Sequence, residues 1–112
     1  MYVQITQERF PKMEYTFIGW CRDETANADK VWGIIKLNGD DWNGNYVSFW
    51  GRRGKKLQTK MHKDEVEWGM ERLAEKKEDK GYKKIDRTQL DSVYPEFQQD
   101  LEKTAFWAMF KV

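Results

Sequence analysis

Between Tyr15 and Met61 the residue character alternates with a period of two in four successive runs, each closed by turn-forming residues. That period belongs to strands, because successive side chains of an extended chain point to opposite faces of a sheet. In the run 15–21, Tyr15, Phe17, Gly19 and Cys21 fall on one side, and Thr16, Ile18 and Trp20 on the other. In 30–37, Val31, Ile35 and Leu37 oppose Trp32 and Ile34. The segment NGDDWNGN follows, whose two Asn-Gly pairs favour tight turns. In 46–50, Val47 and Phe49 oppose Tyr46, Ser48 and Trp50; Gly51 and Gly54 then bracket a bend, after which Leu57, Thr59 and Met61 alternate with Lys56, Gln58 and Lys60. The spacing predicts an antiparallel meander with one face against a core and one more polar, extended by a further short strand over 2–6.

Beyond residue 63 the period changes. Asp64, three residues before Glu67, reads as a capping-box start, and Val66, Met70, Leu73, Ala74 and Lys77 recur at helical spacing until Gly81 closes the helix. RTQLDSVYP holds a short turn of helix before Pro95, a residue that suits a first helical position. From there Phe97, Leu101, Thr104, Ala105, Ala108 and Met109 share a face, with Phe106, Trp107 and Phe110 as an aromatic ridge beside it. A helix apolar over more than half its circumference is buried on two sides or meets a partner, so Phe106, Trp107 and Phe110 are candidate partner-binding residues. The expected fold is α+β. A small antiparallel sheet of four to five strands packs with one main helix, and a helical C-terminal extension over 86–112 completes a single domain over 1–112.

At 112 residues such a chain removes about two-thirds of its unfolded surface from water on folding. With 35% charged residues, its aliphatic bulk is replaced by rings: 6 Trp, 5 Tyr and 6 Phe. One cysteine, Cys21, and one histidine, His62, make neither an internal disulfide nor a Cys/His zinc site. No apolar run approaches the roughly 20 residues of a membrane helix, and MYVQITQERF lacks a signal pattern, so a cytoplasmic protein without membrane contact is expected. No phosphate loop or G-x-S-x-G is present. The expectation is a protein without catalytic residues, metal or cofactor. Glu75 and Lys77, with Asp64 upstream, form a fragment of the metal-dependent nuclease pattern, which a helix surface this charged produces by chance. Asp40 and Asp41 suit either a cation or the hydrogen bonds of a turn. Trp42 is a ring in a polar loop, exposed for binding or packed on the loop.

The formal net charge of +1 conceals a segregation. Residues 51–63, GRRGKKLQTKMHK, carry +6 from Arg52, Arg53, Lys55, Lys56, Lys60 and Lys63 with no acid among them, directly after Phe49 and Trp50. Cations neutralise phosphates and release counterions while an aromatic plane packs on a base or sugar, so the combination suits a nucleic acid. It also suits an edge strand guarded by lysines against aggregation. His62, beside Lys60 and Lys63, reads as a surface residue of that strand.

From 29 to 82 the chain carries DKVWGIIKL, then YVSFWGRRGKKLQTK, then a capped helix ending EKKEDKGY. This ordered set resembles the WGR domain, named for its Trp-Gly-Arg tripeptide and found in poly(ADP-ribose) polymerases and in small bacterial proteins similar to a molybdate-linked regulator. With the strand over 15–21 the resemblance covers 15–82. It implies a small antiparallel sheet packed with a helix. It also implies that Trp50 packs against sugar at a DNA end, that Arg52 meets phosphate or a neighbouring domain, and that Gly51 permits close backbone approach, with Gly54 at the glycine following the arginine. Arg53 departs from the family, which mostly has Val or Ile there. The functional expectation is a non-catalytic nucleic-acid-binding module contacting DNA backbone or ends, RNA not excluded, through Trp50, Gly51, Arg52, Arg53, Lys55, Lys56, Lys60 and Lys63. The alternative is a protein-interaction module, an adaptor or inhibitor of a larger enzyme, that uses the C-terminal ridge.

Overall fold

Residues 14–40, 42–104 and 106 are described in the computed structural model. Four strands follow one another as hairpins: β1 (Glu14–Asp23), β2 (Ala28–Gly39), β3 (Asn43–Arg52) and β4 (Gln58–Val66). Helix α1 (Glu67–Asp79) comes next, then a two-residue strand β5 (Lys83–Lys84) and two short helices, α2 (Arg87–Val93) and α3 (Phe97–Glu102). The sheet order is β4-β3-β2-β1-β5, every neighbouring pair antiparallel. This is the α+β architecture that the periodicity predicts.

The expectation of one polar sheet face is overturned, because both faces are covered. On one side Ile18, Val31, Ile35, Val47 and Phe49 pack with Ile85, just past β5, and with Leu90, Tyr94, Phe97 and Leu101 of the C-terminal helical region. On the other, Phe17, Trp32, Ile34 and Tyr46 pack with Met70 and Ala74 of α1. The central strand β2 is therefore buried through Val31, Trp32, Gly33, Ile34 and Ile35 without interruption. Rings supply much of the first cluster: Phe49 and Phe97 centroids lie 5.0 Å apart, Tyr94 and Phe97 5.7 Å, Tyr15 and Phe49 6.4 Å. Each such pair contributes roughly 0.5–1.5 kcal/mol beyond its buried area.

Asp64 does not cap α1. The β3–β4 ladder continues through Gly44↔Glu65 and Asn43↔Val66, so the chain stays extended past Asp64 and the cap position falls to Val66, without a side-chain cap. Glu67 N–H instead donates to the Trp42 carbonyl at 2.9 Å. The other end follows the sequence expectation. Gly81 (φ +104°) donates to the Glu78 carbonyl at 3.0 Å and Tyr82 to the Lys77 carbonyl at 3.1 Å, the paired bonds of a Schellman turn that needs a left-handed residue at its bend. The turn throws Tyr82 back over the sheet and delivers Lys83 and Lys84 to the edge of β1.

The short turn of helix expected before Pro95 is present. Asp86 and Gln89 form a reciprocal capping box that starts α2 well before Pro95, and Tyr94 ends it. Helix α3 then spans six residues with Phe97 and Leu101 buried. Phe106 is 5% exposed and belongs to the core cluster, so it is not part of an open ridge: the break between α2 and α3 folds this segment onto the sheet. Trp107 and Phe110, like the strand expected over 2–6, lie outside the described residues.

Candidate functional site

Strand registers align side chains in rows across the face that α1 covers. One row holds Cys21, Lys30 and Arg52; the next Gly19, Trp32, Trp50 and Gln58; the next Phe17, Ile34, Ser48 and Lys60. Helix α1 lies over the Phe17, Ile34 and Tyr46 end of these rows through Met70 and Ala74. Its C-terminal turn and Tyr82 rise as a wall beside the open end, where Trp50 remains half-buried. Two cavities result, and Trp50 and Tyr82 line both. One, about 250 Å³, is bounded by Trp32, Ser48, Lys60, Leu73 and Lys77 as well as the two rings. The other, about 410 Å³, is bounded by Asn27, Asp29, Lys30, Gly51 and Arg52 with the same rings.

Four cations stand in this groove: Lys30, Arg52, Lys60 and Lys77. Among the described residues none of them pairs with a carboxylate. Arg52 is held in place by uncharged acceptors, donating to the Asn27 carbonyl at 2.9 Å and its Oδ1 at 3.3 Å. Lys30 Nζ lies 5.6 Å from the Tyr82 ring centroid and Lys77 Nζ 5.3 Å from that of Trp32. Burial, then the charges of Lys80 and Lys30, hold the Lys77 ammonium below the ordinary lysine pKa. An anion placed among these cations relieves that repulsion.

The six cations of residues 51–63 do not share one surface. Arg52 and Lys60 belong to the groove. Arg53 turns inward: its Nε and NH2 donate to Asp29 Oδ2 at 3.0 and 2.7 Å, NH1 donates to the Val93 carbonyl, and the guanidinium lies 5.6 Å from the Trp20 ring. The cause is local, since Arg53 N–H donates to the Asp29 carbonyl at 2.9 Å where β3 ends, which brings the two side chains together. Lys55 and Lys56 line a separate cavity of about 500 Å³ with Leu57, Asp100 and Lys103. Lys63 is exposed on β4 at the irregularity opposite Asn45 and lines neither groove cavity. Gly51 borders the second cavity; a Cβ there would come within 3.1 Å of the Lys56 carbonyl.

Asp29 is the one acid among the described residues of the groove lining, and it is engaged. Burial pushes its carboxyl up, but hydrogen bonds from Trp20 Nε1 (2.9 Å) and Arg53 and the charges of Arg53 and Arg22 outweigh this and hold it below the usual carboxylate range. His62 is half-buried, its Nε2 2.9 Å from Ser48 Oγ; burial, then Lys60, keeps its imidazole below the ordinary histidine pKa, and it is neutral at pH 7. Asp40 accepts from the Trp42 and Asn43 N–H groups at 2.9 and 2.8 Å, the turn role of an aspartate. Trp42 itself is 76% exposed, and Trp68, at the same corner of the molecule, is 61% exposed.

Lys30, Lys77 and Tyr82 were absent from the sequence-derived site. Their signal was present in the Lys before the β2 aromatic strand and in the Lys-Gly-Tyr helix ending, but only the register and the Schellman turn bring them to Trp50. Among the described residues no group of three or more His, Cys, Asp and Glu side chains is placed to hold a metal ion, and no helix is long and apolar enough to cross a membrane. Comparison with protein-family models, with curated proteins and with solved structures finds no match.

Proposed function

We propose that this chain is a non-catalytic nucleic-acid-binding module of the WGR type, whose contact surface is the groove around Trp50. The observation that carries this reading is the meeting of two half-buried rings, Trp50 and Tyr82, with four cations that pair with no carboxylate among the described residues. Rings of this kind accept a base or sugar and such cations accept phosphate, which is the pairing that nucleic-acid grooves use. The acids of α1 and the C-terminal helices confine the positive field to this region and keep binding local.

The test is a salt-titrated binding assay on linear duplex, circular duplex and single strands. If all four cations meet phosphates, log affinity falls with log salt at a slope of roughly −3 to −4. Trp50→Ala and Arg52→Ala weaken binding. A flat salt response, or full affinity in both variants, refutes the proposal.

Trp42 and Trp68 favour a second reading, a protein-interaction surface. Glu67 N–H on the Trp42 carbonyl brings the Trp42 backbone to the residue before Trp68 at the α1 start, and both indoles are exposed. A defined partner that co-purifies with the wild type and is lost from the Trp42→Ala, Trp68→Ala double variant supports it. Tight nucleic-acid binding with no such partner removes it.

A further inference from the structure

We infer that the groove takes single-stranded nucleic acid, DNA or RNA, with one nucleotide in each of the two cavities and the Trp50 and Tyr82 rings between them. This inference rests on the nucleic-acid reading and names the form of the ligand. Three observations carry it.

First, the two cavities are separate volumes with a common ridge. Each has its own pair of cations: Lys60 and Lys77 in one, Lys30 and Arg52 in the other. Arg52 and the Ser48 row that holds Lys60 are four positions apart along β3, roughly 13 Å, with the Trp50 row midway. A strand crossing the ridge therefore meets cations, then rings, then cations. That order matches the alternation of phosphate and base along a single chain.

Second, the groove is a notch between the sheet and the end of α1, with ring walls. A base inside a duplex is stacked on both sides and has no free face for an indole or phenol. An unpaired base has one, which is why single strands are bound on aromatic platforms.

Third, of the six cations of residues 51–63 only Arg52 and Lys60 line this groove. Arg53 is spent on Asp29, and Lys55 and Lys56 border another cavity beside α3. The groove cations alone form a short cluster suited to two or three phosphates of one strand.

The experiment measures fluorescence anisotropy of the full chain with labelled dT10, rU10 and a blunt ten-base-pair duplex at equal salt, and with unlabelled dT2 to dT6 as competitors. Single strands are expected to bind at least ten-fold more tightly than the duplex, and competition is expected to gain little beyond three nucleotides. Trp50→Ala and Tyr82→Leu each lose on the order of 10- to 100-fold for single strands. Tyr82→Phe, which keeps the ring and its packing, stays within about three-fold of the wild type on the same scale. Thermal melts of each variant verify that the fold is retained. Preference for dT10 or for rU10 identifies the source of the strand, and either one supports the inference. Duplex binding equal to or tighter than single-strand binding overturns it while leaving the nucleic-acid function standing. Binding of none of the three overturns both.

Discussion

Arg53 separates the charge pattern of the sequence from the geometry of the fold. Replacing it by methionine keeps an unbranched stem of similar reach and removes the guanidinium, which lies 5.6 Å from the Trp20 ring. Asp29 then loses contacts at 2.7 and 3.0 Å and keeps Trp20 Nε1 at 2.9 Å and Arg22 at 3.5 Å. Breaking a fully buried pair costs about 3–5 kcal/mol, and a hydrogen bond to a charged group contributes about 1.5–3 kcal/mol. The side chains here are 29% and 15% exposed, and two partners remain on the carboxylate, so the lower end applies: about 2 kcal/mol. For a chain of this length that lowers Tm by roughly 8 °C.

The pH dependence has a fixed sign. Asp29 is held below its unfolded value, so the stabilisation is complete above the unfolded carboxylate pKa of about 3.9 and vanishes as pH falls through the lower folded value. Wild type and Arg53→Met therefore differ in chemical denaturation at pH 7 and converge as pH falls below the unfolded carboxylate value. Nucleic-acid affinity and salt slope in Arg53→Met stay at wild-type values, whereas Arg52→Met melts with the wild type and loses about 0.7–0.9 of salt slope. An Arg53→Met chain that is as stable as the wild type but binds with a reduced slope would refute the assignment of Arg53 to the interior.

Phe106→Ala removes a core ring and destabilises the fold by about 3–5 kcal/mol in urea titration; a neutral effect would return Phe106 to the surface role expected from sequence. Gly33→Ala places a methyl 2.3 Å from Phe49 Cζ and 2.9 Å from the Phe17 carbonyl, and costs about 1–3 kcal/mol by the same assay because the backbone on one side cannot yield. Burial, then the hydrogen bond to Asp100, raises the Tyr94 phenol above the ordinary tyrosine pKa. Its stabilisation is full below pH ~10 and is lost as pH rises further, so Tyr94→Phe flattens the alkaline limb of the stability profile while costing about 1–2 kcal/mol at neutral pH.

The period of two in residues 15–61 made the strands legible, and Lys-Gly-Tyr marked the end of α1, because both are local signals. What covers a sheet face is not local. Trp32 and Ile34 look like members of a half-polar face until α1 is laid across them, and α1 reaches them only because the ladder from Asn43 to Val66 sets where the helix begins. The register is similarly hidden. Irregularities at Tyr15/Phe17, Lys36/Asn38 and Gly44/Tyr46 shift the pairing of the three ladders, and the one at Lys36/Asn38, between β2 and β3, sets the alignment that puts Lys30 beside Arg52 although they are far apart in the chain.

The +6 of residues 51–63 is consequently the wrong unit in which to read a binding surface. Arg53 follows the last residue of β3 and is drawn to Asp29, so Arg52 and Arg53 do not act together however close they stand in sequence. A cation two residues from an aromatic on the same strand is a better candidate, and Lys30 before Trp32 and Arg52 after Trp50 both satisfy that rule. Lys60 joins them through Ser48, its partner across the β3–β4 ladder. Charge read by face and row, in place of charge summed along the chain, brings Lys30, Arg52 and Lys60 beside Trp50. The helix end then adds Lys77 and Tyr82, which no strand rule reaches, because a Schellman turn and not a ladder aims them.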